Sequence, residues 1–114
     1  MKKIFIPVLI IFLLLGFITG GQATEKQTTL TMTILYDNHV FAKDLKADWG
    51  FSCLIEGIEE PILFDTGLRE DTFIHNVNML NRNLTFVKHV IISHDHFDHT
   101  GNLIPFLKKN NNTT

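Results

Sequence analysis

An α/β domain is what this 114-residue sequence predicts, and three observations carry that expectation. Segments rich in β-branched residues alternate along the chain with segments whose apolar residues recur at helical spacing. Hydrophobic residues make up 45% of the chain and charged residues 19%, which is apolar material for one small core and not the composition of a disordered chain. The uninterrupted run Val90-Ile91-Ile92 is the kind found in a strand buried on both faces of a sheet.

The first segment precedes the domain. Met1-Lys2-Lys3 is followed by an apolar run from Ile4 to Ile18, interrupted only by Pro7 and Gly16, and then by the small residues Gly21 and Ala23 flanking Gln22. This pattern predicts a secretory signal over residues 1–23, cleaved after Ala23, and an exported domain (periplasmic or secreted) over residues 24–114. The rival is an uncleaved membrane anchor, for which the run falls short of the roughly 20 residues that a helix needs to cross a bilayer.

From Thr29 to Tyr36 polar and apolar residues alternate until the last residues, which predicts a half-buried first strand. Residues 37–50 show no period and read as a loop. Phe51 to Glu56 and Pro61 to Asp65 read as two antiparallel strands joined through Gly57-Ile58-Glu59-Glu60. Arg69 to Leu80 carries Phe73, Val77 and Leu80 at i, i+4 and i+7, with Glu70 and Asp71 in its first turn, which predicts an amphipathic helix. The run Phe86–Ser93 predicts a strand in the sheet interior, and Asn102 to Lys109 a second helix with Thr100 or Asn102 as its N-cap. Cys53, the single cysteine, lies among apolar residues and reads as a buried hydrophobe, so neither a disulfide nor a cysteine zinc site is available. With 10 Lys+Arg against 12 Asp+Glu there is no basic surface for nucleic acid, and membrane contact is expected only through the signal segment.

Three of the six histidines fall in His94-x-His96-x-Asp98-His99, at the end of the predicted interior strand. Imidazole nitrogens and a carboxylate are the ligand set that zinc and similar divalent metals select. In an extended segment His94 and His96 project to the same side and can grip one ion. Asp98 and His99 are adjacent and point differently, so they suit a second ion beside the first. Two such ions would activate a water for hydrolysis or a related group transfer on a small-molecule substrate.

The motif His94-Asp95-His96-Phe97-Asp98-His99-Thr100-Gly101, after an apolar strand and before a helix, resembles that of the metallo-β-lactamase superfamily. Pro61-Ile62-Leu63-Phe64-Asp65-Thr66-Gly67 resembles the strand and Asp-Thr-Gly turn upstream of it. Trp49-Gly50-Phe51-Ser52, Phe73-Ile74-His75-Asn76 and Ile92-Ser93 are similar to the subgroup that includes the dihydropterin-aminobenzene-phosphate synthases. The resemblance implies the N-terminal half of an αββα sandwich and a divalent metal cofactor, zinc first, with two ions in the complete site. It implies His94 and His96 on the first ion and Asp98 and His99 on the second. Asp98 would also orient or deprotonate the attacking water. It further implies Asp65 as a carboxylate that accepts an imidazole N–H and fixes a ligand; a turn-capping Asp is the other reading of the same residue. His39, His75 and His89 match no ligand position. The superfamily's later ligands, a further His, a bridging Asp and a last His, have no counterpart before Thr114. The expectation is therefore a truncated domain or a metal-binding remnant, with an exposed half-sheet able to self-associate.

Overall fold

The computed structural model describes residues 28–111 and 113–114; the proposed signal, residues 1–23, lies outside them. Four strands form one sheet in the order β1-β2-β3-β4: Thr31–Tyr36, Ser52–Glu56, Ile62–Phe64 and His89–Ile91. β1 with β2 and β2 with β3 are antiparallel, whereas β3 and β4 are parallel. Parallel neighbours need a crossover. Here it is α1, Glu70–Met79, while α2 (Phe97–Thr100) and α3 (Leu103–Lys109) follow β4.

Register assigns the two faces of the sheet. Leu54, Leu63 and Val90 stand in one row across β2, β3 and β4, and this row faces the helices. The buried core is Leu35, Tyr36, Leu54, Leu63, Phe73, Val77, Val87 and Phe106, so α1 contributes Phe73 and Val77 and α3 contributes Phe106. The row Ile34, Cys53, Phe64 and Ile91 lies on the opposite face, as do Met32, Ile55 and Ile62. No described helix packs there, and Met32 is 65% exposed.

In β1 the alternating apolar residues turn away from the helices. Met32 and Ile34 pair with Ile55 and Cys53 and so take the face away from the helices. The register shifts between Ile34 and Tyr36, and this bulge lets two consecutive residues, Leu35 and Tyr36, enter the helical core. A strict period of two could not do so, and the alternation in the sequence breaks at the same two residues. Cys53 is buried, as its apolar neighbours suggest, and burial raises its thiol pKa.

The position expected for β4 is corrected. It is the last strand of the described sheet rather than an interior one, and Ile91 is 45% exposed. Among the described residues its outer side pairs with Thr114, whose amide donates to the Lys88 carbonyl (2.8 Å) and whose carbonyl accepts from the Val90 amide (2.9 Å).

The helix α1 lies within the predicted span. Glu70 and Asp71 occupy its first turn, favourably placed for the helix dipole. It ends where Asn81 takes φ 51° and the Arg82 amide returns to the Val77 carbonyl. Asn102 is the N-cap residue of α3, but its side chain makes no capping bond, because its amide donates instead to the Thr66 carbonyl at 2.7 Å.

Candidate metal site

The parallel pairing of β3 and β4 brings their carboxyl ends to one edge of the sheet, the edge where α/β folds place their ligands. Asp65 follows β3 and continues the pairing through its amide, which donates to the Ile91 carbonyl at 2.8 Å. Ser93 and the histidine motif follow β4. Asp65 is 1% exposed and takes φ 54°, a conformation costing a non-glycine residue on the order of 1 kcal/mol. The bend aims its carboxylate at the segment after β4.

There the carboxylate accepts from three groups. Oδ1 takes the Ser93 amide at 2.7 Å, and Oδ2 takes the Ser93 hydroxyl at 2.7 Å and His99 Nδ1 at 2.6 Å. A carboxylate only accepts, so His99 carries its proton on Nδ1 and keeps a lone pair on Nε2. The Ser93 hydroxyl has spent its one proton on Asp65, so at 2.9 Å it accepts from His94 Nδ1. His94 Nε2 therefore keeps its lone pair as well. One buried carboxylate thus sets the tautomers of two imidazoles, one directly and one through a serine.

The rings form a single cluster. His94 lies with its ring centre 4.1 Å from that of His99 and 4.5 Å from that of His96. His94 Nε2 is 3.1 Å from His96 Nδ1, and His99 Nε2 is 3.3 Å from Asp98 Oδ2. Two donors on one tetrahedral zinc stand about 3.3 Å apart, so each pair has the spacing that one ion requires. As the side chains stand, the donors meet as pairs: among the described residues no group of three or more His, Cys, Asp or Glu is arranged to hold an ion. The chemistry of the donor set fits a divalent metal, and the close approach within each pair is one that an ion would bridge.

Asp98 is further held by the segment before β2. The Trp49 indole N–H donates to Oδ2 at 2.7 Å, and the Phe51 amide donates to the Asp98 carbonyl at 3.3 Å. Gly50 sits between them at φ 128°, where a Cβ would come within 2.1 Å of that carbonyl oxygen. Burial acts to raise the Asp98 carboxyl pKa, but hydrogen bonds from its own backbone and from Trp49, with the nearby His99 and His96, outweigh it and leave the pKa lowered. The His99 carbonyl accepts from the amide and hydroxyl of Thr66, so both ends of the Asp98-His99 pair are fixed by distant chain. Trp49, Leu68, Asp95, His96, Phe97 and Asp98 line a cleft open to solvent beside the cluster.

The remaining histidines lie elsewhere: His75 Nε2 meets the Asp44 carbonyl, His89 bridges Glu60 and Thr114, and His39 is exposed on the loop after β1. From sequence, Ser93 and Thr66 have no role at the site, and Asn102 only that of a helix cap. Their signal is chemical, a hydroxyl or amide beside a carboxylate turn, and it acquires meaning only once β3 and β4 are adjacent.

Residues 50–114 match the family described as the metallo-beta-lactamase superfamily. Over 66 residues the chain is 42% identical to the 7,8-dihydropterin-6-methyl-4-(beta-D-ribofuranosyl)-aminobenzene-5'-phosphate synthase of Methanocaldococcus jannaschii, covering 54% of this chain and 22% of that protein. An uncharacterised protein of the same organism is 39% identical over 70 residues, 61% of this chain and 27% of that protein. Among solved structures, a metal-dependent hydrolase of the β-lactamase superfamily superposes with a TM-score of 0.56 at 32% identity, over 68% of this chain and 27% of its own. The chain therefore spans about a quarter of the length of the relatives it matches.

Proposed function

Since the chain belongs to the metallo-β-lactamase superfamily, we propose that it supplies the first metal-binding motif of an exported metal-dependent hydrolase whose paired ions, zinc first, activate water. His94 and His96 would hold one ion, and Asp98 and His99 the other. Bound there, the metal would supply Lewis acidity and a water that ionises near neutral pH. Asp98, kept ionised by its hydrogen bonds and the nearby imidazoles, would orient that water or take its proton. Asp65 holds His99 directly and His94 through Ser93. The cleft between Trp49 and Phe97 admits a small-molecule substrate to the same edge.

The observation that carries this reading is the convergence of three imidazoles and a carboxylate at the ends of parallel strands, with the tautomers of His94 and His99 set to present Nε2. The named relative is a synthase, so the reaction is framed as water attack or group transfer at a carbonyl or phosphoryl centre. The test is metal content together with metal-dependent cleavage of an activated phosphodiester, ester or lactam. His94→Ala should lower bound zinc and reduce turnover by at least about a hundredfold. Unchanged metal content and unchanged turnover in that variant would refute the site.

A second reading has its own support, since this chain offers four donors and spans about a quarter of its relatives. In it, these residues bind zinc without turnover. Zinc binding lost in His94→Ala, with no cleavage by the wild type, selects this reading over the first.

A further inference from the structure

We propose that Trp49 is a positioning residue for Asp98, and that its indole N–H sets the spacing between the two donors of the Asp98-His99 pair. The inference rests on the reading of Asp98 and His99 as metal ligands, and it adds a partner from outside the motif. Trp49 is 69% exposed, so its ring contributes little to the core, yet its Nε1 makes a 2.7 Å bond across a sequence separation of 49 residues. The bond ends on Oδ2, the oxygen that faces His99 Nε2 at 3.3 Å. An aspartate carboxylate turns easily about its terminal torsion. The indole blocks that rotation from one side and Asp65 fixes the imidazole from the other, so the spacing is set before any ion arrives.

The backbone around Trp49 is built for the same purpose. Its own amide donates to Asp48 Oδ1 at 2.8 Å, and Asp48 Oδ2 is held by the Tyr36 hydroxyl at 2.8 Å and Arg69 Nε at 2.9 Å. The Gly50 amide donates to the Asn38 side chain at 2.8 Å. The donor that reaches Asp98 is thus anchored through its backbone to β1 and to the residue that caps α1. Outer partners of metal ligands typically change metal affinity 10- to 100-fold when removed.

The chain has one tryptophan, so two readouts are free of overlap. The first is the single indole cross-peak in a proton–nitrogen spectrum of the metal-free full chain, which should move upfield and exchange faster in Asp98→Ala. The second is zinc affinity, measured by competition with a chromophoric chelator, for Trp49→Phe and for the chain carrying benzothienylalanine at position 49. The latter keeps the bicyclic shape and lacks only the N–H donor. Both variants should bind zinc at least about tenfold more weakly than wild type while their metal-free melting temperatures stay close to it. Wild-type affinity in the benzothienylalanine chain overturns the inference and leaves the metal site standing. Absence of zinc binding by the wild type overturns the metal site itself, and the inference with it.

Discussion

Tyr36 is 1% exposed, yet its hydroxyl is fully used: it donates to Asp48 and accepts from the Arg69 amide at 3.0 Å. Burial, with the Asp48 charge beside it, pushes the phenol from 10.0 up to about 12. For Asp48 burial acts in the raising direction, but the hydrogen bonds from Tyr36 and the Trp49 amide and the charge of Arg69 prevail, and its carboxyl pKa is lowered. The two groups predict opposite limbs of a stability profile. A lowered carboxyl contributes stability that is present above the ordinary value of 3.8 and lost as pH falls through the native value. A raised phenol contributes stability that is present below 10.0 and lost as pH rises through about 12. Denaturant unfolding across pH should show Asp48→Asn less stable than wild type at pH 7, with the gap closing below about pH 3.8. Tyr36→Phe should remove the alkaline loss between those two phenol values.

Asn76 shows how one element commands a distant loop. It sits in α1 at 3% exposure, donates its amide to the carbonyls of Leu35 and Lys46 at 2.9 Å each, and accepts the Lys46 amide at 2.8 Å. It thereby ties the loop after β1 to the helix that connects β3 to β4. Asn76→Ala strands these backbone groups and should destabilise the domain by about 2–3 kcal/mol in urea, with protease nicking concentrated in residues 37–48. The same element shows what the sequence makes legible. The period of Phe73, Val77 and Leu80 identifies α1 because that spacing belongs to the helix alone. Asn76 carries no such sign, since a buried amide is defined by the carbonyls that reach it from other segments. The short α2 was hidden for a related reason: four residues within the histidine motif are too few for a period. The histidines themselves are neighbours in sequence and could be read directly, whereas Asp65 and Trp49 join them only through strand order.

At the scale of the whole molecule the sheet is apolar on both faces and layered on one. Met32, Ile34 and Ile91 are among the exposed large hydrophobics of the described residues, and all three lie on the face away from the helices. Such a face favours association with a complementary apolar surface. Met32→Thr with Ile34→Thr should shift concentration-dependent self-association of the chain, followed by light scattering after size exclusion, to at least about tenfold higher concentration. These positions avoid the core cluster, so the far-ultraviolet spectrum should be retained. The strand order also sets a timetable for folding. The meander of β1, β2 and β3 can zip through its two antiparallel pairings, but β4 joins only after the chain has closed the long crossover through α1, an entropically slower event. Asp65 at the end of β3 can meet Ser93 and His99 only once β4 has docked, so the imidazole cluster should be completed after the meander. In a stopped-flow experiment, capture of a cobalt ion by these histidines would mark the arrival of β4, later than the appearance of sheet structure.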